Sequence, residues 1–358
     1  MNEWRLIDTG LRKASENIAL NQSILESHQA KEIPNTLRYL QFSPSALLGF
    51  HQNAKQELKL DYCKATGIEV QRRLTGGGAI YFDPSQLGWE LYVERQFFKN
   101  CDMSEISKII CETAAKGISN LGVDARFRPR NDIEIGGRKV SGTGGAYNGD
   151  SILYQGTLLI DFDVEKMLKI LHIPAEKLSD KAISSAKDRI VSLSELLPDV
   201  PSLAEIKTVM TSAFSSAFDL NFLETNELSP AEVTRLEQNI KEIDCDEWVY
   251  QVDNKTLGGY ITDAIYKAKG GIIRASVSYD TNRNLIKQVH LTGDFFITPP
   301  RAINDLEAFL KDTPFSALSQ RILDFFREHD IKGLMLSPDD FVEAISLAIK
   351  KVPQSEPA

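Results

Sequence analysis

The alternation of apolar and polar positions divides the chain into a β-rich first part, a helical middle and a smaller stretch of strands followed by helices. Trp4–Ile7 reads as an opening strand, and Ser15–Gln29 as a helix with Ser15 as its expected N-cap. Strand-like runs then dominate to about Leu193: Leu37–Phe42, Glu69–Leu74, Gly88–Val93, Asp132–Ile135, Lys139–Ser141 and Ser151–Ile160, separated by Gly, Pro, Asn and Asp. Ser104–Leu121 interrupts them as a helix, because Ile106, Ile109, Ile110, Ala114 and Ile118 recur at helical spacing. Val164–Leu171, Leu203–Phe218 and Pro230–Ile243 also read as helices. A second alternation predicts strands at Trp248–Val252, Gly271–Tyr279, Leu285–Leu291 and Phe295–Ile297, then helices at Ile303–Leu310, Pro314–Glu328 and Pro338–Lys350. The pattern implies a first unit over residues 1–246, a small α+β unit over 247–351 and a frayed tail over 352–358.

Composition narrows the function classes. The 358 residues are 42% hydrophobic and 25% charged, which excludes disordered, collagen-like and coiled-coil chains. Lys and Arg number 41 against 50 Asp and Glu, so a net charge of -9 gives no global field for nucleic acid, and any anion site must be local. Cys63, Cys101, Cys111 and Cys245 match neither a zinc ribbon nor a disulfide framework. The N-terminus lacks a basic stretch followed by an apolar one, and no run reaches the roughly 18 apolar residues of a membrane span. A cytoplasmic protein without membrane association is expected.

The glycines point to the chemistry. Ten of 22 fall within Gly76–Gly78 and Gly136–Gly156, windows that also hold Arg72, Arg73, Arg138 and Lys139. In Arg72-Arg73-Leu74-Thr75-Gly76-Gly77-Gly78, three residues without Cβ let backbone approach a ligand, and the arginines suit phosphate or carboxylate oxygens. A glycine-rich hairpin turn with two solvated arginines fits the same residues. Asn131 to Gly142 reads as strand, Gly-Gly turn, strand, with Lys139 at the head of the second strand. An ammonium held there can neutralise charge developing on a carboxylate and an attacked phosphate; a hairpin lysine in water is the plain alternative. Asp132 could hold Mg²⁺ together with phosphate oxygens, or Asn131-Asp132 could cap a turn. GxxxxGK[ST], GxGxxG and GxSxG are absent, and of the five histidines only His51 lies near a candidate segment.

RRLTGGGAIYFD, NDIEIGGRKVSG and YQGTLLIDFD, in that order, resemble the lipoate-protein ligase family within the biotin/lipoate ligase superfamily. WRLIDTG, ENIALNQSIL, LGFHQN, AKDRIVSLSELL and the C-terminal HLTGDFFITPP extend the resemblance over most of the chain. It implies an α+β fold: a biotin/lipoate ligase-like catalytic domain of mixed, largely antiparallel sheets flanked by helices, plus a small α+β accessory domain. It also implies two-step chemistry, in which lipoate and ATP with Mg²⁺ as cosubstrate give lipoyl-AMP, and a lysine of an acceptor protein takes the lipoyl group as a post-translational modification. Carried over by motif, Lys139 would be catalytic. Arg72, Arg73, Thr75 and Gly76–Gly78 would line the lipoate and phosphate site, with Asn131 and Asp132 on the nucleotide and metal side and Gly142 and Thr143 behind the adenylate. Leu48, Leu74, Tyr154 and Gly156 are candidates for the apolar tunnel of the acyl tail.

Phe82-Asp83, Gly88-Trp89 and Tyr154-Gln155 depart from residues common in the ligases, which bears on acyl or acceptor preference. The rivals are an ATP-independent octanoyltransferase, a biotin ligase and a non-catalytic lipoate-binding member. Some octanoyltransferases use a cysteine soon after the lysine motif, and residues 140–160 contain none; the GRGRxG-type biotin ligase signature is missing; the intact Lys139 and glycines argue against a decayed site. In the ligases the accessory domain is associated with closing over the adenylate. An acidic acceptor would need a local basic patch, for which Arg126, Arg128 and Arg130 are candidates unless they form the solvent face of a strand. A monomer is expected.

Overall fold

A computed structural model of the protein describes residues 2–99, 101–172, 186–225, 227–255 and 257–352. The tail beyond Val352 lies outside the described residues. In chain order the first part contains β1 (Asn2–Arg12), α1 (Ala14–Gln29), β2 (Thr36–Phe42), β3 (Ser45–Leu48), α2 (Ala54–Glu57), α3 (Leu60–Thr66), β4 (Glu69–Arg72), β5 (Ile80–Phe82) and β6 (Gln86–Glu94). It continues with α4 (Met103–Ser119), β7 (Ala125–Arg128), β8 (Asp132–Ile135), β9 (Arg138–Asn148), β10 (Ser151–Leu159), α5 (Val164–Ile170), α6 (Leu203–Phe218), β11 (Leu220–Thr225), α7 (Pro230–Ile243) and α8 (Asp246–Val249). Eight strands form one sheet in the order β11-β1-β2-β6-β10-β9-β8-β7, and β4-β3-β5 form a smaller one. Only β1 with its two neighbours and β3 with β4 run parallel; the other pairings in these two sheets are antiparallel, as expected for this fold class.

One face of the large sheet packs on α4 and α6 through Trp4, Leu91, Ile110, Ile118, Met210 and Phe214, all almost fully buried. Burial of this kind supplies about 25 cal/mol per Å² of apolar surface, the main favourable term for such a layer. The second stretch builds its own core from Ala264 onward, where β12 (Ile261–Ala268), β13 (Gly271–Asp280), β14 (Leu285–Gly293) and the two-residue β16 (Thr313–Pro314) carry α9 (Ala302–Phe309), α10 (Leu318–Glu328) and α11 (Pro338–Ile349). The two-residue strands β15 (Ile297–Thr298) and β17 (Lys332–Gly333) pair separately.

Three local expectations change. Trp248–Val252 contains the end of a short helix and turns rather than a strand: Trp248 and Tyr250 pack into clusters of the first part, leaving no edge to pair with. Of Phe295–Ile297 only Ile297 joins a strand: Phe295 stacks on His51 and meets Phe341 edge-on, and Phe296 lies against Gly77 and Gly144. Helix α1 starts at Ala14, so Ser15 is inside it; the Glu69 carboxylate, 55 residues away in sequence, accepts the Ala14 and Ser15 N–H groups at 2.8 Å.

A buried ion pair ties α7 to the sheet. Arg5 of β1 donates twice to Glu232 of α7, at 2.8 and 2.5 Å. Burial pushes the Glu232 carboxyl up, but Arg5 and the Ser229 N–H outweigh it and hold it below its ordinary value. Glu232→Ala should therefore cost about 3–5 kcal/mol in urea denaturation at neutral pH, since it strands the Arg5 charge. The wild-type contribution is present above the unfolded carboxyl value of about 4.3 and is lost as pH falls through the depressed folded value, so the gap between the two proteins should shrink in acid.

Candidate active site

The loop after β4 is built around a cation. Arg73 is buried and donates to the carbonyls of Leu47 and Gly76, both at 3.0 Å, and of Gly78 at 2.9 Å, so the glycine turn folds back on its own guanidinium. Glycine is required on steric grounds: a Cβ at Gly76 would lie 2.2 Å from the Phe295 carbonyl, and one at Gly77, where φ is +92°, would lie 2.7 Å from the Phe296 ring. Arg72 does not line the cleft. Its guanidinium donates to the carbonyls of Val249, Gly49, Phe50 and Gln52 and lies 3.7 Å from Asp253. It was expected on the ligand, but a fully buried guanidinium needs its donors satisfied, and the carbonyls do so.

The second motif is a hairpin whose turn, Gly136-Gly137, has φ of +57° and +80°, the two positive angles that a tight two-residue loop demands. Lys139 leaves this turn with its backbone clamped: its N–H donates to the Arg189 carbonyl at 2.8 Å and its carbonyl accepts from Val191 at 2.9 Å. Its Nζ lies 2.7 Å from Asp132 Oδ1, while Arg128 holds the other carboxylate oxygen at 2.9 Å. Burial works to raise the Asp132 carboxyl, but Lys139 and Arg128 outweigh it and hold it below the usual range, so Asp132 is a carboxylate at neutral pH. A Cβ at Gly142 would lie 2.7 Å from Lys139 Nζ, so this glycine makes room for the ammonium.

Glycines 76–78, Thr75, Arg73, Asn131, Asp132, Lys139, Gly142, Thr143 and Gly156 meet around a cleft of about 370 Å³, within the range of small-molecule sites. Its apolar wall comes from Leu40, Phe42, Leu47, Ile80, Phe82 and Leu159. Among the tunnel candidates, Leu48, Leu74 and Tyr154 are not in the lining. Tyr154 sits beneath the floor with its hydroxyl 2.6 Å from Ser107 Oγ, 2.8 Å from Thr143 Oγ1 and 3.2 Å from Cys111 Sγ. Burial raises both the tyrosine and the Cys111 thiol, keeping them neutral. Arg126 pairs with Asp124, and Arg128 with Asp132 and Glu134, so the arginine row of β7 is largely neutralised within its own hairpin.

For a resident Mg²⁺ the donor set does not fit. Both Asp132 oxygens already hold cations, and among the described residues no three His, Cys, Asp or Glu side chains converge as a metal site.

Several lining residues lie outside the three motifs. Glu90 reaches the cleft from the middle of β6, satisfied by Arg38 at 3.0 Å and Tyr92 at 2.7 Å; a carboxylate inside the apolar run LGWELYV is the available signal. Asp294 and Phe296 come from the second unit, whose Gly293 N–H bonds the His51 carbonyl at 3.1 Å while Phe295 stacks on the His51 ring. No local pattern announces that proximity.

Residues 13–215 match the lipoyl protein ligase A/B catalytic domain. The chain is a member of that family. It is 28% identical over 242 residues to lipoate-protein ligase A subunit 1 of Thermoplasma acidophilum, covering 65% of this chain and 90% of that one. It is 27% identical to the octanoyltransferase LipM of Halalkalibacterium halodurans, covering 70% of this chain and all of the relative. P. falciparum LipL1, crystallised with lipoate, shares the fold over 97% of this chain and all of its own, with a TM-score of 0.73 at 18% identity. Among the described residues no helix is long and apolar enough to cross a membrane.

The two motif cations should separate experimentally. Arg72→Met, which abandons five hydrogen bonds and the Asp253 charge, should lower stability by about 3 kcal/mol or more in urea. Lys139→Ala removes a partly exposed ion pair and should change stability by no more than about 1 kcal/mol.

Proposed function

We propose that the protein activates lipoate with ATP and transfers the lipoyl group to a lysine of an acceptor protein. The observation that carries the reading is the Lys139 ammonium, oriented by Asp132 at 2.7 Å inside a cleft with a glycine loop on one side and an apolar wall on another. In the first step a lipoate carboxylate oxygen attacks the α-phosphorus, and the bond to the pyrophosphate oxygen breaks. Lys139 stabilises the negative charge that the attacked phosphate gathers, from a position fixed in advance by its clamped backbone. In the second step the acceptor amine attacks the lipoyl carbonyl, AMP leaves with the bonding electron pair, and the amine loses its proton. The same ammonium serves both transition states. Magnesium accompanies ATP as its counter-ion and so enters as part of the substrate.

The likeness to an octanoyltransferase over its whole length supports a second reading, direct acyl transfer without ATP. Among the described residues no cysteine lines the cleft, however, and Cys111 is a neutral thiol under its floor, hydrogen-bonded to Tyr154 and Thr143. The position of this thiol, outside the lining, favours the ligase reading.

Incubation with Mg-ATP and lipoate in the absence of acceptor should give lipoyl-AMP by mass spectrometry, and Lys139→Ala should reduce its rate by about 10²–10³, the effect of removing one preorganised transition-state donor. Octanoyl transfer from a carrier protein, with no adenylate formed, would replace this reading with the transferase.

A further inference from the structure

The arginines around the cleft differ in what their guanidinium groups are already doing. Arg73 holds the glycine loop, Arg128 holds Asp132 and Glu134, and Arg138 reaches Glu195 at 3.0 Å. Arg130 also lines the cleft and is half-buried, yet among the described residues its guanidinium has neither a carboxylate nor a carbonyl partner. Of the three lining cations, Arg73, Arg130 and Lys139, it is the one whose donors have no partner among the described residues. Lys139 is opposed by Asp132, and the lining carboxylates Glu90 and Asp294 are engaged by Arg38 and by the Ile272 N–H.

The Arg130 backbone is nevertheless fixed. Its carbonyl accepts from Ser107 Oγ at 3.3 Å, and the next carbonyl, of Asn131, accepts from both the N–H and the hydroxyl of Thr143 at 2.9 Å. Ser107 and Thr143 are in turn joined through the buried Tyr154 hydroxyl. A free guanidinium on an anchored Cα is preorganised for a ligand that brings its own negative charge. The segment also carries Asn131 and Asp132, whereas the apolar wall comes from β2, β3, β5 and the end of β10.

We infer that Arg130 binds the polyphosphate of the nucleotide, and that Tyr154 is a positioning residue acting through Ser107 and Thr143. The assignment rests on the ATP-dependent reading above and adds a binding residue to it. A planar guanidinium meets phosphate oxygens in bidentate fashion, and a polyphosphate has more negative charge than Lys139, already opposed by Asp132, can balance.

The test is calorimetric titration of the full chain with ATP and magnesium, and separately with lipoate, for wild type, Arg130→Met, Arg130→Lys and Arg126→Met, together with lipoate-dependent pyrophosphate release. Arg130→Met should weaken ATP binding by about ten- to a hundredfold and leave lipoate binding within about twofold, with Arg130→Lys recovering part of the loss. Arg126→Met, already paired with Asp124, should leave ATP binding within about twofold. Tyr154→Phe should weaken ATP binding without changing lipoate binding. Unchanged ATP affinity in Arg130→Met overturns the assignment, as does an equal loss in Arg126→Met or a loss confined to lipoate. A wild type that binds ATP but releases no pyrophosphate overturns the adenylation reading alone. A wild type that does not bind ATP overturns both.

Discussion

Arg73 donates to carbonyls on both sides of the glycine turn and on β3, and this buried cation gives the loop its shape in place of a hydrophobic side chain. A loop of three glycines pays a large entropy to become ordered, and hydrogen bonds from a charged donor are among the few local interactions strong enough to offset it. Arg72, one residue earlier, does the same for the backbone of Gly49, Phe50 and Gln52 and reaches across to Val249. The two arginines thus build the rim of the cleft from behind.

The same economy of side chains operates across the cleft. Gly142 leaves room for the Lys139 ammonium, Gly144 for the Phe296 ring and Gly156 for the Trp89 indole, so the strands approach the site as bare backbone while bulky groups fill the space from other elements. Tight packing of this kind leaves Lys139 few positions. Its distance from Asp132 is then set by the hairpin, by the Arg189–Val191 clamp and by Gly142 together, which is the preorganisation an electrostatic role in catalysis needs.

The second unit enters this arrangement through backbone and rings rather than through charge alone. Phe295 stacks on His51, the Phe295 carbonyl faces Gly76, and Phe296 covers Gly77 and Gly144. Burial, reinforced by the charges of Arg72 and Lys255, pushes His51 down to about 3, so the stacked ring is neutral. A wall contributed from outside the glycine-bearing strands can exclude water from a reactive anhydride, the physical requirement of the proposed first step.

Most elements were legible because long apolar runs and helical spacing survive any tertiary context, as at α6, α7 and β8, whose limits agree residue for residue with the pattern. The strands β11 and β12 were not: β11 mixes exposed and half-buried positions, and β12 turns Ile261 and Ile265 outward and Thr262 and Ala264 inward, the reverse of an amphipathic pattern. Of the candidate site, the glycines, Thr75, Asn131, Asp132 and Lys139 could be picked from sequence because their chemistry and spacing are local. Arg72 and Tyr154 could not be placed, because whether a polar group faces a ligand or satisfies buried partners depends on which distant backbone comes to lie beside it. Helix caps obey the same rule: Glu69 caps α1 and Asp253 caps α2 from elsewhere in the chain. By itself, then, the sequence determined the kinds of element, the family and the residues able to carry charge near an anion. Only the tertiary structure decided which of those charges are already balanced and which remain free for a ligand, because that balance is struck between segments far apart in sequence, as between Arg72 and Asp253.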